Sequence, residues 1–190
     1  TEAAAERGLV FFEQSWTGDF ADIDNDGDLD CLVTNHSTTL KMMQNDGYGY
    51  FTDVTEASGL DFEGFFLQAK LEDLDNDGYV DLLFSGGVHG YYHNNGDGSF
   101  SEMTGTFPNG DTMHSFSIGD LNKDGFLDVY ASYGNVYIGS DSNNEDIFWT
   151  NNTNDNNWIS FDLEGIFSNK NAVGAKVKIY GDWGVQVREV

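Results

Sequence analysis

An all-β chain built from repeated four-stranded antiparallel units is what this sequence predicts, on three observations. The nonapeptide DIDNDGDLD (Asp22–Asp30) returns as DLDNDGYVD (Asp73–Asp81) and as DLNKDGFLD (Asp120–Asp128), with starts 51 and 47 residues apart. A near-constant period of that size marks stacked supersecondary units. Between the copies run short segments rich in β-branched and aromatic residues, broken by Asn-Gly and Asp-Gly turns, which is hairpin chemistry. No long stretch keeps a helical period, while 23 glycines and a lone Pro108 suit tight turns between strands.

Taken in order, each unit resolves into four pieces. A first strand leads into the acidic loop: SWTGDFA, then FFLQAKLE, then MHSFSIG. An apolar strand follows the loop: CLVTN, LLFSG, VYASY. The third strand reads TLKMMQN, GYYHNN and DIFWTNN, and a glycine-rich turn, DGYGYF or NGDGSF, leads to a fourth strand such as FTDVT. Three units are thus expected within residues 1–157, at 11–62, 63–108 and 109–157, and the texture changes from Trp158 onward.

The loop itself carries the chemistry. Its side chains at positions one, three, five and nine are Asp22, Asp24, Asp26 and Asp30, then Asp73, Asp75, Asp77 and Asp81, then Asp120, Asn122, Asp124 and Asp128. Alternating oxygen donors on a curled loop can converge on one hard cation. Gly27, Gly78 and Gly125 permit the bend, and the carbonyls at position seven (Asp28, Tyr79, Phe126) can add a ligand. Calcium takes 6–8 oxygens at roughly 2.3–2.6 Å, whereas magnesium demands a stricter octahedron, so up to three calcium ions are expected. A simple hairpin turn needs only the Asp-Gly dipeptide and gains nothing from three further acids, whose mutual repulsion is costly without a counter-ion. An EF-hand closes with Glu at position twelve, where this chain has Val33, Phe84 and Ala131. Position two (Ile23, Leu74, Leu121) and position eight (Leu29, Val80, Leu127) are apolar in every copy and are expected to anchor the loop in its unit.

Composition narrows the partners. There are 33 Asp and Glu against 8 Lys and Arg, a net charge of −25, and such a surface repels phosphate backbones and anionic lipids. Neither nucleic acid nor membrane insertion is expected. Cys31, the only cysteine, excludes an internal disulfide and reads as a small buried apolar residue. Asn35-His36-Ser37 and Asn151-Asn152-Thr153 match the glycosylation triplet, a short pattern that is often idle. The opening TEAAAERGL is related to FTDVTEASGL at Phe51–Leu60, so the start reads as the tail of an earlier repeat in a fragment or processed chain.

The Asp-x-Asp-x-Asp-Gly-x-x-Asp loop with a strand on either side resembles the FG-GAP or VCBS repeat of integrin α chains and secreted bacterial proteins. The segments MMQNDGYGYFTDVTEASGL and YYHNNGDGSFSEM are similar to the part that closes each blade in that family. From Trp158 the chain resembles the start of the ASPIC/UnbV segment of the cartilage acidic protein family and its bacterial relatives. The matching features are Asn157-Trp158, Ser168-Asn169-Lys170, AVGA at Ala172–Ala175 and QVREV at Gln186–Val190. The resemblance implies a partial β-propeller of calcium-stabilised blades, followed by a truncated β segment (158–190), on an extracellular or envelope protein. It implies binding of a protein or glycan partner and no reaction.

A search for catalytic groups supports a non-enzymatic reading. His89 and His93 stand four apart on strand and turn and read as polar side chains more readily than as a zinc pair; Ser37, Ser85 and Ser115 lack a nucleophile elbow. The alternative, an accessory or catalytic propeller of a carbohydrate-active enzyme, requires a cluster of acid and base away from the loops. Propellers close with typically 4–8 blades, so three blades are expected to leave open apolar faces through which two chains pair.

Overall fold

The computed structural model describes residues 2–108, 111–134, 144–167, 169–182 and 184–189. Two positions of the C-terminal resemblance, Ser168 and Val190, and the first two of the third expected unit, residues 109–110, lie outside the described residues.

A single helical turn, α1 (Ala4–Arg7), precedes the first sheet. Arg7 holds it there: its guanidinium donates to the carbonyls of Tyr48 (2.7 Å) and Gly49 (3.4 Å) and lies 4.5 Å over the Tyr50 ring. The first sheet is an antiparallel meander of β1 (Ser15–Ala21), β2 (Asp30–Asn35), β3 (Lys41–Asn45) and β4 (Phe51–Asp53). The same meander returns as β5 (Phe66–Glu72), β6 (Asp81–Gly86), β7 (Gly90–Asn94) and β8 (Phe100–Glu102). A third contributes β9 (Thr112–Gly119), β10 (Asp128–Gly134) and β11 (Ile147–Trp149), joined to the second sheet through one pair, Gly86–Met113. The strands fall on the runs that alternation and turn residues predict and the fold is all-β as expected, but among the described residues the third unit has three strands where four were expected.

Each acidic nonapeptide connects the first strand of its unit to the second. In every unit the register of these two strands slips near the end away from the loop: between Ser15 and Gly18, between Phe66 and Gln68, and between Ser132 and Tyr133. The repeat therefore extends to a bulge as well as to the loop.

The sheets bury their faces against one another. Leu32, Leu40 and Met42 of the first unit pack with Phe66, Leu71, Leu82 and Phe84 of the second. Leu74 and Leu83 pack with Met113, Phe116, Val129 and Ala131 of the third. The continuous apolar run of β6 now has its reason. Leu82 and Phe84 face the first unit, Leu83 between them faces the third, and the whole strand is buried. Each fully buried side chain of this kind contributes about 1.5–3 kcal/mol.

First strands of adjacent units also bond directly. Asp19 accepts from the Leu71 backbone N–H (2.7 Å) and from Lys70 Nζ (3.1 Å). The Gln68 amide exchanges two 3.0 Å bonds with the Phe116 backbone. Beyond the third unit an irregular segment leads to a separate hairpin, β12 (Lys176–Gly181) and β13 (Gly184–Glu189).

Candidate metal centre

The three loops share one backbone geometry, written by their acids. The position-one carboxylate accepts from the amides of positions five and six at the first loop (Asp22 from Asp26, 3.1 Å, and Gly27, 2.9 Å) and at the third (Asp120 from Asp124, 3.1 Å, and Gly125, 2.9 Å). At the second, Asp73 accepts from Gly78 (3.0 Å). Position three accepts from position five (Asp24 from Asp26, Asp75 from Asp77, Asn122 from Asp124), and position five from position seven (Asp26 from Asp28, Asp77 from Tyr79, Asp124 from Phe126). These side-chain-to-backbone bonds curl the loop and turn the acids inward. The glycine at position six has φ of +102°, +100° and +89° in the three copies, a conformation that a side chain would strain.

Position nine has a clasp role that spacing alone does not reveal. Asp30, Asp81 and Asp128 are buried, and each spends both oxygens on backbone. One accepts from position two (Ile23, Leu74, Leu121; 3.0–3.1 Å) and the other from an asparagine at or just beyond the third strand (Asn45, Asn94, Asn151; 2.9 Å).

Asn45 and Asn94 were not singled out from the sequence, and Asn151 only as part of a glycosylation triplet; Asn94 and Asn151 tie neighbouring loops together. Asn94 Nδ2 donates to the Val80 carbonyl of its own loop (3.1 Å) and to the Ile23 carbonyl of the preceding one (2.9 Å). Asn151 does the same with Leu127 (3.3 Å) and Leu74 (2.8 Å), and Asn45 reaches Leu29 (2.9 Å). In return, position four of the first two loops donates forward: Asn25 to the Gly78 carbonyl (3.0 Å) and Asn76 to that of Gly125 (2.9 Å). The third loop has Lys123 at that position. The signal available in the sequence was the recurrence of Asn immediately before each glycine- or asparagine-rich turn.

Two of the loops draw their ligand atoms close together. Carboxylate oxygens of Asp22, Asp24 and Asp30 lie within 4.8 Å of one another, as do those of Asp73, Asp75 and Asp81. Burial pushes the Asp30 carboxyl up to about 7 and those of Asp73 and Asp81 up to about 6, against hydrogen bonds that pull the other way. Asp22, Asp28 and Asp77 are raised too, by burial first and by neighbouring carboxylates. Asp28 Oδ1 and Asp73 Oδ1 are buried oxygens with no donor. Clustered acids whose charge is penalised, with orphaned oxygens among them, fit a cation-binding cage, and these clusters could hold a metal ion. At the third loop Asn122 replaces an acid and donates to Asp124 Oδ2 (2.8 Å), so its charge is lower.

The C-terminal hairpin brings cations to this surface. Arg188 Nη2 lies 3.1 Å from Asp73 Oδ2 and donates to the Gly78 carbonyl (3.2 Å), while Lys176 Nζ donates to that of Gly27 (2.7 Å).

Several expectations are refined. Ile23, Leu74 and Val80 are buried as loop anchors, but Leu121 is 65% exposed. Ile23 and Leu74 are covered by the unit that follows them, and no further unit follows among the described residues. Phe126 is buried. His89 and His93 part company: His89 Nε2 meets the Pro108 carbonyl (2.9 Å), and His93 turns toward the second loop. Both glycosylation triplets have engaged asparagines, since Asn35 is buried and donates to Thr39 O (2.8 Å) and Asn151 holds two loops. Cys31 is buried, its thiol pushed up to about 11 by that burial, in keeping with a packing role. No helix among the described residues is long and apolar enough to cross a membrane.

Comparison with known proteins agrees with this geometry. No curated protein matches the chain. The family model described as FG-GAP-like repeat matches twice, over residues 22–84 and 73–131, each match running from one acidic loop through the next and into the strand beyond it. Together the matches cover more than half of the sequence, and the chain belongs to the FG-GAP-like repeat family.

Proposed function

We propose that this chain is a calcium-binding, non-catalytic β-propeller module of a secreted or cell-surface protein, whose rigid blades present a surface to a protein or glycan. Up to three ions would be held by the side chains at loop positions one, three, five and nine, with the position-seven carbonyls of Asp28, Tyr79 and Phe126. The observation that carries this reading is the buried, donor-free oxygen of Asp73 beside converging carboxylates, in a loop that occurs three times. Bound calcium would supply charge neutralisation and cross-link positions that the backbone bonds only pre-bend.

The unit boundaries we adopt are 11–62, 63–108 and 109–157, with residues 158–190 as the start of an ASPIC/UnbV-like segment. We also propose that two copies pair through the terminal faces. Tyr130, Phe148 and Leu121 are exposed on the third unit and Phe20 on the first, where a neighbouring blade would otherwise pack.

Calorimetric calcium titration and thermal melting test the central claim. The melting midpoint is expected to rise with calcium as for any ligand bound only by the folded state, and chelator should reverse the rise. An unchanged midpoint with no heat of binding would sink it. A glycan-array and pull-down screen with and without calcium then identifies the partner class.

A further inference from the structure

The segment from Trp158 onward lies along the face that carries the three acidic loops, and it meets each of them at the position-six glycine. Lys178 Nζ stands beside Gly27, the Gln186 side chain fills the space over Gly78, and the Trp158 ring fills that over Gly125. Polar contacts fasten the same surfaces. The Val187 amide donates to Asn25 Oδ1 (3.3 Å), Gln186 Nε2 reaches the Asp77 carbonyl (3.5 Å), and Val187 itself is buried. The hairpin of β12 and β13 is therefore seated on the loops.

Its charges match the loops in order. Three of the chain's eight Lys and Arg residues, Lys176, Lys178 and Arg188, belong to this hairpin, and all three point at loops. The first loop, with Asp28 beside its other four acids, receives Lys176 and Lys178; the second receives Arg188. The third, which has Asn122 and its own Lys123, meets the neutral Trp158.

Arg188 also changes how position one is used. Asp22 and Asp120 each spend their two oxygens on the amides of positions five and six. In the second loop Asp73 Oδ2 takes both the Gly78 amide (3.0 Å) and Arg188 Nη2 (3.1 Å), and Oδ1 stays buried without a donor. A dication held by Asp73 would share that carboxylate with a guanidinium, and two like charges at such a distance repel. The half-exposed ion pair is screened by water and holds weakly on its own.

We propose that the C-terminal hairpin is an internal counter-ion for the first two loops, a strap that calcium loosens. Arg188 and Lys176 balance the loop acids in the metal-free chain, and ion entry there weakens the hold of β12 and β13. The neutral Trp158 contact at the third loop is left in place. Coupling of this kind is reciprocal, so the docked strap lowers calcium affinity by the factor that calcium lowers docking. The inference rests on the reading of these loops as calcium sites.

Calorimetric calcium titration and hydrogen exchange on the whole chain test it. Arg188→Gln should tighten one calcium site by about fivefold or more, the lower end of ordinary coupling between sites. Lys170→Gln is the control for net charge, since it removes the same charge from an exposed side chain paired with Glu164, and it should leave the affinities in place. In the natural protein, whatever the variants' folding, calcium should speed exchange of the Val187 amide, which bonds across to Asn25. Calcium affinity unchanged or weakened in Arg188→Gln, equal tightening in Lys170→Gln, or a Val187 amide no faster in calcium overturns the strap alone. Refusal of calcium by every chain removes the calcium reading and the strap with it.

Discussion

Replacing Asn94 by alanine probes the junction between the first two units. The side chain is fully buried, donates to the carbonyls of Ile23 (2.9 Å) and Val80 (3.1 Å), and accepts from the Gly96 amide (3.0 Å). A net hydrogen bond is worth about 1 kcal/mol, and a buried group left without a partner costs about 1–3 kcal/mol. Three bonds at a site closed to water therefore give a loss of about 3–5 kcal/mol. In a domain of this size that lowers the melting midpoint by roughly 10 °C. Asn45 is the internal control. It occupies the same place in the first unit and reaches only the Leu29 carbonyl of its own loop, its acceptor side serving Gly47 and Gly49 in a half-exposed turn. Asn45→Ala should cost about 1–2 kcal/mol. Urea unfolding in chelator, followed by tryptophan fluorescence, measures both variants. Equal losses for the two would refute the claim that the bond between units stabilises the fold.

Two further outcomes follow from the loops and the end faces. Without metal, stability should rise as pH falls from about 8 to 5, because Asp30, Asp73 and Asp81 have folded-state values above the ordinary carboxylate range. The folded chain then binds more protons than the unfolded one across that window, and the effect amounts to a few kcal/mol, on the order set by the linkage relation. Saturating calcium, which needs the ionised acids, should flatten or reverse the slope; chemical denaturation at several pH values with and without chelator reads both. Light scattering on dilute samples should give the mass of a dimer, and a clean monomer would defeat pairing through the terminal faces.

The strands were legible because their signals are local. SWTGDFA runs into a turn-rich loop and became Ser15–Ala21, and the run LLF became a strand buried on both faces. The acidic loops were legible because their ligands sit at fixed spacing on one peptide. Asn94, His93 and Arg188 were opaque for the opposite reason. Their partners lie elsewhere in the chain, as with Asn94 and Ile23, 71 residues apart. Isolated polar residues on strands carry no period that would announce such a role. Position nine was half read: the acid was expected as a ligand, but its grip on two backbone amides depends on a third strand that brings Asn45, Asn94 or Asn151 alongside. Leu121 was misjudged because its cover would have to come from a following unit, which no feature of the loop itself reveals.

The reciprocal amide bonds between neighbouring loops also impose an order of events during synthesis. Ile23 receives its donor only when Asn94 arrives, and Leu74 only when Asn151 does. A nascent chain that has released its first unit alone has a loop whose acids are all present but whose outer carbonyls still face water. Each unit is consolidated one repeat late, so the growing end carries an unfinished loop until the next sheet has left the ribosome. Vectorial growth from the N-terminus, with every repeat acting as the template for its successor and the fastener of its predecessor, is the folding route this arrangement favours.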